Sequence, residues 1–161
     1  KSGKSVNDVD VHMIKKYYYS YDEFRTDTQK LKDQCQEFNP EVILAIARGG
    51  LTLGQLLSEA MDIRNLFTLN SIHYNGTEKL DTFEIFNIPD LSNFTKILIV
   101  DDIIDSGESM VEILKVLNLK YPSCEFKVAT LFTKQTALMQ PNYSIKEATQ
   151  WIEFFWEIDI K

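Results

Sequence analysis

The chain predicts an α/β fold: a doubly wound, mainly parallel sheet flanked by helices, with a flexible hood loop and a small C-terminal segment outside the alternation. Three observations carry this. Apolar runs rich in β-branched residues, above all 97–100 and 126–132, have the length and continuity of strands buried on both faces. Amphipathic stretches of helical spacing follow the runs at 41–47 and 97–100 after short turns, so strand and helix alternate. Crossovers between parallel strands are right-handed, which brings the strand-to-helix turns to one edge of the sheet. The turns after residues 47 and 100 can then face one cleft.

The elements follow in order. Residues 1–13 are polar and lack periodicity; they read as an expression-tag remnant ahead of a single domain over 14–161, which sets His12 aside. Ser20 and Glu23 form a capping box, and Phe24, Leu31, Cys35 and Phe38 share one face of the helix it starts. Asn39-Pro40 ends that helix. A strand over 41–47 leads through Arg48-Gly49-Gly50 into a helix carrying Leu53, Leu56, Leu57 and Ala60, and a strand over 65–72 comes next. From His73 to about Leu91 the pattern weakens, with Asn75-Gly76 as a turn and Pro89-Asp90 as re-entry. That length suits a functional flap. Ile97 to Val100 is a strand that Asp101 and Asp102 end, and Met110, Val111, Ile113, Leu114 and Leu117 mark the next helix. A strand over 126–132, a polar loop through Pro141 and an aromatic segment over 151–158 complete the chain.

With 161 residues, 44% hydrophobic and 25% charged, the chain can bury a substantial core and is not of disordered composition. A formal charge of −7 opposes binding to nucleic acid or an anionic membrane. No apolar stretch approaches a transmembrane span. Cys35 and Cys124 are too few for a disulfide framework or a zinc site. These features suit a cytoplasmic enzyme.

The chemistry concentrates in Val100-Asp-Asp-Ile-Ile-Asp-Ser-Gly-Glu-Ser109. Two carboxylates at the carboxyl end of a buried strand lie where open α/β sheets bind ligands. They can reach sugar hydroxyls or a divalent metal. The turn of Asp105, Ser106, Gly107, Glu108 and Ser109 opens a helix, whose unpaired amides and dipole favour a phosphate. Together they describe a site for an anionic sugar. In Ala45-Ile-Ala-Arg-Gly-Gly-Leu51, Arg48 offers charge, and Gly49 and Gly50 permit positive φ and close backbone approach to a pyrophosphate.

The first motif resembles the phosphoribosyl pyrophosphate signature of the type I phosphoribosyltransferases, in which a strand ends in two acids and continues as Asp-Thr/Ser-Gly-x-Thr/Ser. Arg48-Gly-Gly-Leu51 resembles the pyrophosphate loop of the bacterial purine enzymes, often with a cis non-proline peptide. Trp151-Ile-Glu-Phe-Phe-Trp156 resembles the Trp-Ile-Glu-x-x-Trp of the xanthine-guanine enzymes. The resemblance spans about Tyr17 to Ile158. It implies purine salvage: transfer of a 5-phosphoribosyl group to N9 of guanine, xanthine or hypoxanthine, with Mg2+ as cofactor. Asp101 and Asp102 would hold the ribose, with Asp102 as a magnesium ligand. Residues 105–109 would bind the 5′-phosphate, while Arg48, Gly49, Gly50 and Lys79 would bind pyrophosphate. Asp105 would serve as general base towards N7. Lys134, Trp151 and Ile152 would bind the base, with Lys134 on its 6-oxo group. The loop from Ser71 to about Asp90 would be the catalytic hood, with His73 and Tyr74 as further contact candidates. Trp156 is read as core or interface. A homodimer or homotetramer is expected, with Tyr17, Tyr18 and Phe155 as interface candidates and the core as their alternative.

Glu108 departs from relatives that carry Gly or Lys there and adds negative charge beside the phosphate turn; an outward side chain would leave the amides usable. Two alternatives stay open. One is a non-catalytic regulator of the same fold that binds the donor or a nucleotide; the other is transfer to a different base.

Overall fold

The computed structural model describes residues 15–74 and 82–160. Residues 1–13, His12 among them, and Lys79 lie outside that range. Strand β1 (Lys16–Tyr19) leads into helix α1 (Tyr21–Cys35). Ser20 caps the helix, its hydroxyl oxygen accepting the Glu23 N–H at 3.1 Å. A 3-10 turn (Gln36–Phe38) ends at Asn39 in the left-handed region. There follow β2 (Val42–Ala47), α2 (Leu51–Met61), β3 (Leu66–Tyr74), β4 (Thr82–Phe86), β5 (Lys96–Ile104), α3 (Glu108–Lys120), β6 (Glu125–Thr133), β7 (Tyr143–Glu147) and β8 (Trp151–Phe154).

Six strands form the main sheet in the order β4-β3-β2-β5-β6-β7. All neighbours are parallel except β3 and β4. Alternation along β2 shows why this strand is central: Ile43 and Ala45 join one apolar cluster with Leu31, Leu53 and Leu57. Val42, Leu44 and Ile46 join another with Met110, Ile113 and Leu117. Helices α1 and α2 thus cover one face and α3 the other, the doubly wound arrangement that the apolar runs predict. Burial along α2 falls on Leu53, Gly54, Leu57 and Ser58, whereas Ala60 is exposed.

Two expectations need correction. The strand at 97–100 does not stop at the acids but runs on to Ile104, because Asp101, Ile103 and Ile104 still pair with β6. The stretch after His73 is not wholly a loop. Tyr74, His73 and Ile72 pair with Thr82, Phe83 and Glu84, so the described residues there form an antiparallel strand pair. Its outer strand alternates exposed Thr82, Glu84 and Phe86 with half-buried Phe83 and Ile85, a five-residue pattern weak enough to pass as a loop. Strand β7 lies in 142–150, a stretch to which the sequence pattern assigns no element; it joins the sheet edge beside β6.

The C-terminal aromatic segment begins as a strand. β8 pairs in parallel with β1, matching Lys16 to Trp151 and Tyr17 to Ile152, to make a separate two-stranded ribbon. Two four-residue strands do not stand alone in water. An aromatic cluster anchors them: the ring of Tyr19 meets those of Phe24, Phe132 and Phe154 edge-on at 6.5, 5.0 and 5.8 Å.

Candidate active site

The ends of β2, β5 and β6 turn into their following segments at one edge of the sheet, where open α/β sheets bind ligands. The Ala47–Arg48 peptide is cis, one bond before Arg48-Gly49. Gly49 and Gly50 serve here through their missing side chains rather than a positive φ. A Cβ on Gly49 would sit 2.6 Å from Asp102 Oδ2, and one on Gly50 would sit 2.5 Å from the Val100 carbonyl oxygen. The glycines therefore let the loop close against β5.

Asp102 joins two cavities. One, about 710 Å3, is lined by Arg48, Gly49, Leu51, Thr52, Asp102, Trp156 and Glu157 and by residues 158–159. The other, about 400 Å3, is lined by Asp102, Ile103, Asp105, Lys134, Trp151, Ile152 and Phe154, with Ala148, Thr149, Gln150 and Glu157. Asp101 lines neither. It follows Ile97 and Ile99 on the α3 side of the strand, whereas Asp102 follows Leu98 and Val100 on the other. A third cavity, about 540 Å3, opens around Lys32, Asn39, Asp62 and Arg64 at the opposite sheet edge, away from every motif residue.

The two aspartates are coupled through the backbone. The Asp102 N–H donates to Asp101 Oδ1 at 2.9 Å, and the Ile103 N–H donates to Asp102 Oδ1 at 2.7 Å. Burial, reinforced by the charge of Asp102, holds the Asp101 carboxyl well above the usual carboxylate range. Burial also raises Asp102, against the hydrogen bonds it receives. Among the described residues neither acid forms an ion pair, and their hard oxygen donors suit magnesium. Among the described residues, no group of three or more His, Cys, Asp or Glu could hold a metal. A cation at Asp102 would complete its shell with substrate and water oxygens, a usual mode for magnesium at phosphorylated substrates.

Beyond β5 the turn narrows to Gly107 at φ 84°, a conformation that favours glycine, and α3 starts at Glu108. Ser106 Oγ accepts the Glu108 N–H at 3.3 Å, and the Ser106 carbonyl accepts the Leu138 N–H at 2.8 Å. Glu108 turns towards the β3–β4 pair, with Oε2 3.9 Å from His73 Nε2, while the His73 ring stacks on Phe83 at 4.3 Å. Tyr74 donates its hydroxyl hydrogen to Glu84 at 3.1 Å, so this hydroxyl is engaged within the strand pair.

Lys134 Nζ stands 2.7 Å from Asp105 Oδ1 at the rim of the smaller cavity. Trp151 is 60% exposed and Ile152 is buried. Trp156 stacks on Phe154 at 4.6 Å, as expected of a core residue, yet it also lines the larger cavity. Phe155 packs against Tyr21, Phe24 and Trp156. Glu157 lines both cavities and was missed in the sequence; burial raises its carboxyl, and the charge of Asp102 adds to the rise. Thr149 and Gln150 were missed as well, since no motif marks them.

A parallel sheet whose strand-end loops gather paired acids, a glycine turn and an arginine has the architecture of an enzyme for phosphorylated sugars. The chain belongs to the phosphoribosyl transferase domain family, which matches residues 12–161. It is 29% identical to a xanthine-guanine phosphoribosyltransferase of Roseobacter denitrificans, covering 91% of this chain and 88% of that protein. Among solved structures, the xanthine-guanine-hypoxanthine phosphoribosyltransferase of Helicobacter pylori superposes with a TM-score of 0.84 at 38% identity, covering 90% of this chain and 96% of that one. A purine phosphoribosyltransferase from Pyrococcus horikoshii superposes with a TM-score of 0.78 at 27% identity, covering 91% and 97%.

Proposed function

We propose that this enzyme of purine salvage transfers the 5-phosphoribosyl group of phosphoribosyl pyrophosphate to N9 of a 6-oxopurine. Pyrophosphate leaves and a nucleoside 5′-monophosphate forms. One observation carries the reading: Asp102 borders both a cavity containing Arg48 and Gly49 and a cavity containing Lys134, Trp151 and Ile152. A donor sugar at Asp102 can present its leaving group to the first and its reacting carbon to a base in the second.

The larger cavity takes the pyrophosphate, where Arg48 and the Gly49 and Gly50 amides meet the charge that develops as the C1–O bond breaks. The amides of 106–109 take the 5′-phosphate. Asp102 holds the ribose hydroxyls, and with magnesium bound it also contributes an oxygen to the metal; Asp101 sets its orientation through the Asp102 N–H. Magnesium, when bound at Asp102, would neutralise part of the pyrophosphate charge. Trp151 offers an indole face to the purine, Ile152 an apolar wall, and Lys134 a donor to the 6-oxo group. Asp105, beside Lys134, accepts the N7 proton as N9 attacks. The His73–Phe83 strand pair forms part of a hood that excludes water from the reacting sugar.

Among the described residues no helix is long and apolar enough to cross a membrane. The reading extends to a cytoplasmic homodimer or homotetramer, with exposed Tyr18 offering interface area, while Tyr17 and Phe155 pack against the core. The test is an ultraviolet assay with magnesium, phosphoribosyl pyrophosphate and, in parallel, guanine, xanthine, hypoxanthine, adenine and orotate. Turnover confined to 6-oxopurines is expected. Donor binding without turnover of any base would favour a regulatory module instead.

A further inference from the structure

Behind the wall of the smaller cavity lies a polar cluster that the reaction described above does not use. Lys146 Nζ stands 2.9 Å from Glu23 Oε2 and 3.1 Å from Asp27 Oδ2. The Tyr19 hydroxyl donates to the same Asp27 oxygen at 2.6 Å, and the Tyr17 hydroxyl donates to Glu23 Oε2. Lys146 also lies 5.6 Å above the Tyr19 ring. Asp27 is only 2% exposed. Four elements are tied at one point: β1 through both tyrosines, α1 through both acids, β7 through Lys146, and β8 through its register with β1, where Tyr17 lies beside Ile152.

The cluster borders the purine subsite. A cavity of about 300 Å3 lies between them, lined by Tyr17, Lys146, Glu147, Thr149, Gln150 and Ile152, and the last three also line the smaller cavity. The segment that joins Lys146 to Trp151 is held at two other points. The Ala148 N–H donates to the Thr133 carbonyl at 2.9 Å, and the Gln135 side chain donates to Glu147 at 3.2 Å. Aromatic packing alone would hold the ribbon on the core, but apolar contacts tolerate rotation and slip. A lysine between two carboxylates, one of them buried, has a single satisfied geometry, and such groups can specify register while contributing little net stability.

We propose that Lys146 is a positioning residue for the purine subsite. It fixes the β1–β8 ribbon against α1 and β7, so that Trp151 and Ile152 keep their places in the cavity they share with Lys134. This rests on the assignment of the base to the cavity beside Trp151. Lys146 touches neither substrate, and its effect falls on the base side of the reaction rather than on the donor side.

The test measures KM for guanine and for phosphoribosyl pyrophosphate separately, with kcat and the thermal midpoint, in Lys146→Met, Lys146→Arg, Tyr17→Phe and Trp151→Ala. Lys146→Met is expected to raise the guanine KM about tenfold, as a sub-ångström misplacement of the wall would, and to leave the donor KM within about twofold. Lys146→Arg keeps the charge and is expected to recover most of the loss. Tyr17→Phe removes one hydrogen bond and is expected to give a smaller change of the same kind, which keeps the test open if Lys146→Met does not fold. A lowered thermal midpoint with both KM values unchanged, or both raised equally, would overturn the proposal. An unchanged guanine KM in Trp151→Ala would instead remove the base assignment beneath it.

Discussion

Substituting Ala at Gly49 and at Gly50 should produce opposite phenotypes from neighbouring positions. At Gly49 the added Cβ falls 2.6 Å from Asp102 Oδ2, and ordinary contact begins at 3.4 Å, so the carboxylate or the loop must move by about 0.8 Å. The Asp102 side chain can yield that much at the cost of the 2.7 Å hydrogen bond it accepts from the Ile103 N–H, worth about 1 kcal/mol net. Catalysis is less forgiving, because an error near 1 Å in a reacting geometry costs up to about 100-fold. At Gly50 the Cβ meets the Val100 and Ile46 carbonyl oxygens at 2.5 and 2.9 Å, and these belong to two central strands that cannot part. Overpacking there should cost about 3 kcal/mol and lower the thermal midpoint by about 6–12 °C. The assay pairs differential scanning calorimetry with steady-state kinetics over a magnesium titration. Gly49→Ala is expected to lose roughly 10- to 100-fold in kcat/KM for the donor with a midpoint within about 3 °C of wild type. Gly50→Ala is expected to lose the fold first. A Gly49→Ala enzyme with unaltered donor kinetics would refute the contact between the Arg48 loop and Asp102 as a functional one.

Other outcomes can be checked separately. Asp105→Asn should lower kcat by about 100-fold or more while the donor KM changes little, the pattern of a lost general base; equal losses would remove Asp105 from that role. Glu108→Gln removes a charge from the phosphate turn, so the donor KM should fall by about two- to fivefold at low salt and the difference should shrink at high salt. The Tyr17 hydroxyl and then Lys146 hold the Glu23 carboxyl below its ordinary value of 4.5. The folded state therefore releases this proton more readily than the unfolded chain. The associated stability is complete above about pH 4.5 and is lost as pH falls through the lowered value. A plot of thermal midpoint against pH should show a shallower acid limb in Tyr17→Phe than in wild type. Chelating magnesium should abolish turnover without changing the thermal midpoint of the ligand-free protein, since the described residues build no metal cage of their own.

How much of this was legible in the sequence depends on how local each feature is. The acid-rich strand, the glycine turn at 107 and the Arg48 loop are contiguous motifs whose spacing carries their geometry, so they could be found by reading along the chain. Leu31, Leu53, Leu57, Met110, Ile113 and Leu117 follow the helical period and occupy the core as expected. The five-residue edge strands were missed because Lys146 and Glu84 interrupt their apolar character and an edge strand needs only one buried face. The ribbon was missed because its partners, Tyr17 and Ile152, are joined by register and not by sequence proximity. Glu157 reaches the site only after the C-terminal chain folds back over Arg48 and Asp102. The opposite faces of Asp101 and Asp102 were in principle readable from the two-residue period of a strand, once the strand is known to continue past them.

The pairing of β8 with β1 also has a bearing on biosynthesis. Every other parallel contact joins strands that are made before β8, whereas the ribbon waits for Trp151–Phe154 to emerge and return to Lys16–Tyr19, far earlier in the chain. Such a long loop closure is slow relative to local contacts. A nascent chain can therefore complete the six-stranded sheet and the glycine turn before Trp151 is in place, so under the proposed function the capacity to accept a nucleobase arises after the sheet has formed. Until then Tyr19 and its aromatic partners are an uncovered apolar surface, and this is the stage at which a chaperone or a protease would meet the chain.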